Sequence, residues 1–161
     1  MRHAILTYGG WVTILVLLPN LIALLLPPRD KPARRRHTSR WDRTMEMLER
    51  AGQVSSFIIP FFCRARIDRQ ESCIAAALMT MLLAIYYFCW IRYALARKYI
   101  YFYKPVLCFP LPMAWTPILF FLLGSCVLHS AYLLASTILL GIGHLYVSRR
   151  EYQAARQGMS D

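Results

Sequence analysis

Apolar and polar positions alternate along this chain in long blocks rather than in single steps. Ile5 to Leu26 runs without one formal charge, and about 20 apolar residues rising 1.5 Å each suffice for a helix to cross a hydrocarbon core about 30 Å thick. The pattern predicts a first membrane helix there. It is too long for the apolar core of a signal peptide and ends in Leu-Leu-Leu-Pro-Pro, so it is read as part of the mature chain. Pro19 removes a backbone donor from its second half, and Asn20 places an amide where lipid offers no partner.

The next block, about 29–50, holds Arg29, Lys31, Arg34, Arg35, Arg36, Arg40, Arg43 and Arg50. Trp41, Met45, Leu48 and Ala51 recur in it at helical spacing, which predicts an amphipathic helix entering from a basic cytoplasmic loop. The apolar run from Ala51 to Cys63 is short for a crossing. Residues of about 45–63 therefore span only if Met45 to Leu48 are immersed and the arginines extend toward the surface.

Cys73 to Ile91 predicts a third crossing, ending in Tyr86, Tyr87, Phe88 and Trp90 just before Arg92, Arg97 and Lys98. Aromatic groups beside basic ones are typical of a membrane interface. From Val106 to Val147 the chain is almost uncharged for longer than one crossing needs. That predicts a helical hairpin, with spans at about 109–123 and 127–147 and Gly124 and Ser125 near the turn. Pro105, Pro110, Pro112 and Pro117 predict an irregular start to the fourth span.

Charge chooses between five crossings and four, because cytoplasmic loops collect Lys and Arg. Five crossings leave only Arg2, Arg64, Arg66 and Arg69, of 19 basic residues, on the outer side; four divide them far more evenly. The expected fold is thus an all-α helical membrane bundle, a single integral membrane domain over 1–161. The N-terminus is expected outside and the C-terminus in the cytoplasm.

Composition agrees with that reading. Apolar residues make up 58% of the chain and mean hydropathy is +0.40, against roughly 45–50% apolar in soluble domains. A net charge of +11 would raise nucleic acid in a soluble protein, but flanking apolar spans it points to anionic lipid head groups. Cys63, Cys73, Cys89, Cys108 and Cys126 form no C-x-x-C pair, so neither a disulfide framework nor a zinc site is expected.

Ionisable groups inside a membrane are costly and are the first place to look for function. After Glu49 the predicted spans hold no carboxylate, which argues against a proton-coupled exporter. Glu46 and Glu49 lie three apart on one helical face and make either a small acidic site or surface pairs with Arg43 and Arg50. His144 lies in Gly-Ile-Gly-His-Leu-Tyr, where the glycines admit a neighbouring helix. His129, roughly 22 Å away along a continuous helix, cannot share an ion with it. Asn20 is either a ligand-holding group at a broken helix or a helix-to-helix hydrogen bond. No phosphate loop, Ser/His/Asp ordering or H-E-x-x-H pattern is present. No catalytic residue, metal, cofactor or nucleic acid is expected.

Pro19-Asn20, the run Met45-Glu46-Met47-Leu48-Glu49 followed by Gly52, Phe88-Cys89-Trp90-Ile91, and His144 fall in an order that resembles a family of small, uncharacterised multi-pass membrane proteins found chiefly in Gram-positive bacteria. The chain departs from that family's pattern at Gln53, where a basic residue is usual, and in its Arg/Pro-rich first loop. The resemblance implies a bacterial cytoplasmic membrane and brings no activity. The expected role is an accessory or interaction protein, with a membrane protein or a second copy as partner. The alternatives are a protomer of an oligomeric transporter or channel, and a lipid-modifying enzyme.

Overall fold

A computed structural model describes residues 8–30, 39–67, 69–106 and 111–157. Cys108, the expected start of the fourth span at Phe109, and Arg34 to Arg36 lie outside them. Five helices follow one another: α1 Gly10–Leu25, α2 Arg40–Ile58, α3 Gln70–Ala96, α4 Pro112–Val127 and α5 Ala131–Gln157. The described residues form helices and no strand, and Tyr8 and Arg64 make an isolated β-bridge.

Local sequence sets the helix boundaries. Ser39 caps α2: its hydroxyl accepts from the Asp42 N–H at 3.1 Å while the Asp42 carboxylate accepts from the Ser39 N–H at 2.9 Å, satisfying two donors at the helix start. Pro60 turns the end of α2 into a 3-10 turn over Ile59–Phe62. There the Phe57 carbonyl accepts from the Thr13 hydroxyl of α1 at 2.9 Å. Arg97, at φ 51°, closes α3 in the left-handed conformation, with its N–H on the Tyr93 carbonyl at 2.7 Å. Leu111, also at φ 51°, precedes the helix-starting Pro112.

The turn between α4 and α5 differs from expectation. Gly124 and Ser125 remain inside α4, and the chain reverses at His129, φ 48°. Gly124 is small for another reason: a Cβ there would lie 3.3 Å from Val12 Cγ1 of α1. Histidine tolerates the left-handed region better than most side chains, and Ser130 Oγ then accepts from the Leu133 N–H at 3.3 Å to start α5. His129 is thus a turn residue rather than a member of the last helix.

The helices run alternately up and down. At one end Arg29 N–H bonds the Arg97 carbonyl at 3.0 Å, joining the exit of α1 to the exit of α3. At the other, Gly9 N–H bonds the Cys63 carbonyl at 2.8 Å and Arg66 N–H bonds the Val127 carbonyl at 3.0 Å. α2 packs most extensively on α5, and α3 on α4. The helix ends joined by Arg29 and Arg97 carry most of the basic residues described, and Arg64, Arg66 and Arg69 sit at the opposite end.

Among the described residues two helices are long and apolar enough to cross a membrane: α3 over Gln70–Ala96, with mean hydropathy 2.1, and α5 over Ala131–Arg156, with 1.5. α1 and α4 are apolar but shorter, at 16 residues each. Large apolar side chains are exposed on the outer faces, among them Leu24 at 79% and Leu95 at 83%.

The aromatic group near the end of α3 divides: Phe88 is exposed and Tyr87 half-buried, whereas the rest of the group turns inward. Tyr86, Trp90 and Tyr93 are buried, with Trp90 edge-on to Tyr86, Tyr93 and Phe102 at centroid separations of 6.2, 5.7 and 5.7 Å. The three tyrosine hydroxyls of this helix serve α1 instead. Tyr86 donates to Asn20 Oδ1 at 2.6 Å, Tyr87 to the Leu15 carbonyl at 3.0 Å and Tyr93 to the Leu26 carbonyl at 2.7 Å.

Candidate functional site

Two glycines bring the polar residues of α2 and α5 together. A Cβ on Gly52 would meet the Leu140 amide nitrogen and lie 2.6 Å from Leu140 Cα; one on Gly143 would meet the Glu49 amide nitrogen and lie 2.7 Å from Glu49 Cα. The two backbones are therefore in contact, as small residues permit between packed helices. With the helices antiparallel, α2 residues of increasing number face α5 residues of decreasing number. Asp42 and Glu46 meet Arg150, Glu49 meets His144, and Ser56 donates to Ser136 Oγ at 3.3 Å.

His144 Nδ1 lies 2.6 Å from Glu49 Oε1. Arg150 donates to Glu46 Oε1 at 2.6 Å, and its other terminal nitrogen lies 3.1 Å from Asp42 Oδ1, which also accepts from the Tyr146 hydroxyl at 2.9 Å. The Ser39 N–H, followed by the Tyr146 hydroxyl, holds the Asp42 carboxyl down to about 2. Glu46 and Glu49 thus turn to different α5 partners. They form no shared acidic site, and their partners are Arg150 and His144 rather than the neighbouring Arg43 and Arg50. Interhelical geometry overrides proximity in sequence here.

Beside the Glu49–His144 pair lies a cavity of about 190 Å³ to which all five helices contribute. Its walls are largely aromatic and apolar, with Phe57, Trp90, Phe102 and Phe121 among them, and its polar lining comes from Asn20, Gln53, Tyr86, Tyr103, His144 and Ser148. Of the four residues singled out from sequence, Asn20 and His144 border this cavity. Glu49 touches it through His144, and Glu46 stays with Arg150. Asn20 makes the helix-to-helix hydrogen bond with Tyr86 as well as facing the cavity.

Two polar groups at the cavity differ from the rest. Trp90 is 5% exposed, and its buried Nε1–H, beside the Tyr86 hydroxyl, completes no hydrogen bond among the described residues. Tyr103 shares a 3.2 Å hydrogen bond with Tyr99, whose hydroxyl donates to Glu151 Oε2 at 2.9 Å. Burial raises the Tyr99 phenol to about 12 and that of Tyr103 further, so both are neutral hydroxyls across the physiological range. The described residues contain no group of three or more His, Cys, Asp or Glu able to hold a metal. Cys63, Cys73, Cys89 and Cys126 are free thiols.

Sequence reasoning missed Gln53, Trp90, Tyr103 and Ser148 as lining residues and Asp42 and Arg150 as an ion pair. Part of the signal was present: Asp42, Glu46, Glu49, Gln53 and Ser56 recur every three or four residues, one polar stripe on α2. What faces that stripe depends on the register of α5, which no local pattern records. The chain matches no protein-family model, no curated protein and no solved structure.

Proposed function

We propose that the chain is a multi-pass protein of a bacterial cytoplasmic membrane, akin to the small membrane proteins of Gram-positive bacteria that its motifs resemble. Its five helices cross the bilayer, with the N-terminus outside and the C-terminus in the cytoplasm. The observation that carries this reading is the division of charge between the two ends of the bundle. Arg29, Arg40, Arg43, Arg92, Arg97, Lys98, Lys104, Arg149, Arg150 and Arg156 gather at one, and Arg64, Arg66 and Arg69 at the other. Arg50 lies deeper, in the middle of α2, and its exposed side chain can extend toward the first end. Between the ends the outer faces of α1, α3 and α5 present large exposed apolar side chains, among them Leu18, Leu21 and Leu24 of α1, Ile74, Met81 and Phe88 of α3, and Ile138 and Ile142 of α5, the kind of surface that lipid covers. The shorter α1 and α4 fit by local thinning of the bilayer or by immersion of their flanking residues.

Within the membrane the chain acts as an accessory or interaction protein, with anionic lipid head groups at its basic end. Its polar side chains support this role: Asn20, Glu46, Glu49 and His144 are each held by a partner within the chain, as in a fixed scaffold rather than a carrier that rearranges them. The second reading, a protomer of an oligomeric transporter or channel, draws on the cavity that all five helices line. A lipid-modifying enzyme has less support, because Arg150 occupies the Glu46 carboxylate.

Cysteine accessibility tests the topology. In a chain whose native cysteines are replaced by alanine, Arg69→Cys is expected to react with a membrane-impermeant maleimide on intact cells, and Ser39→Cys only after lysis. Labelling of both from the same side, or extraction of the protein into buffer without detergent, overturns the reading. Native mass spectrometry then separates the roles: a stable second protein supports the accessory role, and a defined homo-oligomer alone supports the transporter.

A further inference from the structure

The cavity beside Glu49 and His144 combines features that single out one class of ligand. A space of about 190 Å³ exceeds the roughly 150 Å³ that accommodates a benzene ring, so one small ring fits and a bulky substrate does not. Phe57, Trp90, Phe102 and Phe121 give it flat apolar walls suited to a planar molecule. Trp90 Nε1–H is a buried donor that completes no hydrogen bond among the described residues, with the Tyr86 hydroxyl beside it already engaged by Asn20, and leaving such a donor unpaired is costly. A ligand oxygen would satisfy it.

His144 adds the second specification. Its Nδ1 is engaged by Glu49 at 2.6 Å, and its Nε2 has no hydrogen bond to another described residue. A histidine backed by a carboxylate offers either face of hydrogen bonding at Nε2: an acceptor when the pair holds one proton, a donor when it holds two. An oxygen that exists both as a carbonyl and as a hydroxyl is matched in both forms by such a group.

We propose that this cavity binds the ring of a membrane-soluble quinone, with ring oxygens hydrogen-bonded by the Trp90 indole and by His144 Nε2, and the ring lying against Phe102 and Phe121. The inference rests on the membrane reading above, since the bilayer is the phase that delivers such a ligand. Binding alone is proposed. Glu49 is a positioning residue, holding the imidazole ring through Nδ1.

The test is a calorimetric titration of the full chain in mild detergent with two small, fully substituted quinones that do not add to thiols, duroquinone and 2,3-dimethoxy-5,6-dimethyl-1,4-benzoquinone, and, as a ring without oxygen, toluene. Saturable one-to-one binding of at least one quinone is expected, with toluene at least about fivefold weaker, the scale of one lost hydrogen bond. Trp90→Phe and His144→Gln should each weaken the quinone about fivefold, and Leu24→Ala on the outer face should leave it unchanged. Failure to saturate with either quinone, equal affinity for toluene, or unchanged binding in both variants overturns the proposal. Should either variant fail to fold, the comparison with toluene on the native chain decides alone. The titration does not depend on topology, so quinone binding and bilayer crossing fail independently.

Discussion

Tyr87 of α3 donates its hydroxyl to the Leu15 carbonyl of α1 at 3.0 Å, and Leu15 is the residue four before Pro19, whose missing N–H would otherwise have bonded it. Replacing Tyr87 with Phe leaves that carbonyl without either partner. The expected cost is about 1 kcal/mol in an unfolding titration in mixed micelles. In a Pro19→Leu background the same change should cost clearly less, because the restored backbone N–H serves Leu15. Equal costs in the two backgrounds would show that the hydroxyl matters for some other reason.

The contact between α2 and α5 makes Gly52 and Gly143 sensitive to any added side chain. Gly52→Ala sets a methyl against the Leu140 backbone, which has no flexible end to move aside. A loss of about 1 to 3 kcal/mol is expected, together with separation of Glu49 from His144. Gly141→Ala is the control on the same helix, since a Cβ there would meet only Ile118 Cγ2, at 3.4 Å. It should be close to neutral, and a similar loss at both positions would argue against backbone contact as the cause.

Acid should loosen the start of α2 in a defined window. The Asp42 carboxyl is held at about 2 in the folded chain against 3.8 for the free group. Its contribution is therefore complete above about 4 and is lost as pH falls toward 2. The unfolding midpoint should decline across that interval, and Asp42→Asn should flatten the decline. A slope that survives the substitution would assign the acid sensitivity to another carboxylate.

Arg150 joins two carboxylates of α2 to α5, so Arg150→Met should destabilise the chain more than Glu46→Gln does, because it leaves both Asp42 and Glu46 without their cation. Combining Arg150→Met with Glu46→Gln should recover part of the loss by removing one of the two stranded charges. Circular dichroism melts of the three variants in one detergent read this ordering. A double variant less stable than Arg150→Met alone would exclude like-charge repulsion as the main cost.

Much of the helical order was legible because it is written in uninterrupted sequence. The uncharged runs within α3 and α5 announce helices on their own, and the polar stripe from Asp42 to Ser56 marks the face of α2 that needs partners. The partners themselves were not legible. Glu49 is nearer in sequence to Arg50 than to His144, and it finds the histidine only because two glycines let the helix backbones touch. Gly124 read as a turn because glycine often is one, yet its missing side chain makes room for Val12, and the turn falls to His129. The aromatic end of α3 read as an interface because hydroxyl-bearing rings beside arginines usually lie there. In this chain those hydroxyls answer the polar interruptions of α1, a requirement visible only once both helices are in place.

The tyrosines of α3 have a consequence for how the chain is made. The hydrogen-bond partners that α1 needs at Asn20, Leu15 and Leu26 lie 66, 72 and 67 residues further along. During synthesis the first helix emerges with its proline break and its amide unanswered, and it stays so until the chain has been extended through Tyr93. A segment made before its partners is settled only after them, and whatever shelters it in the interval must tolerate an incompletely bonded helix.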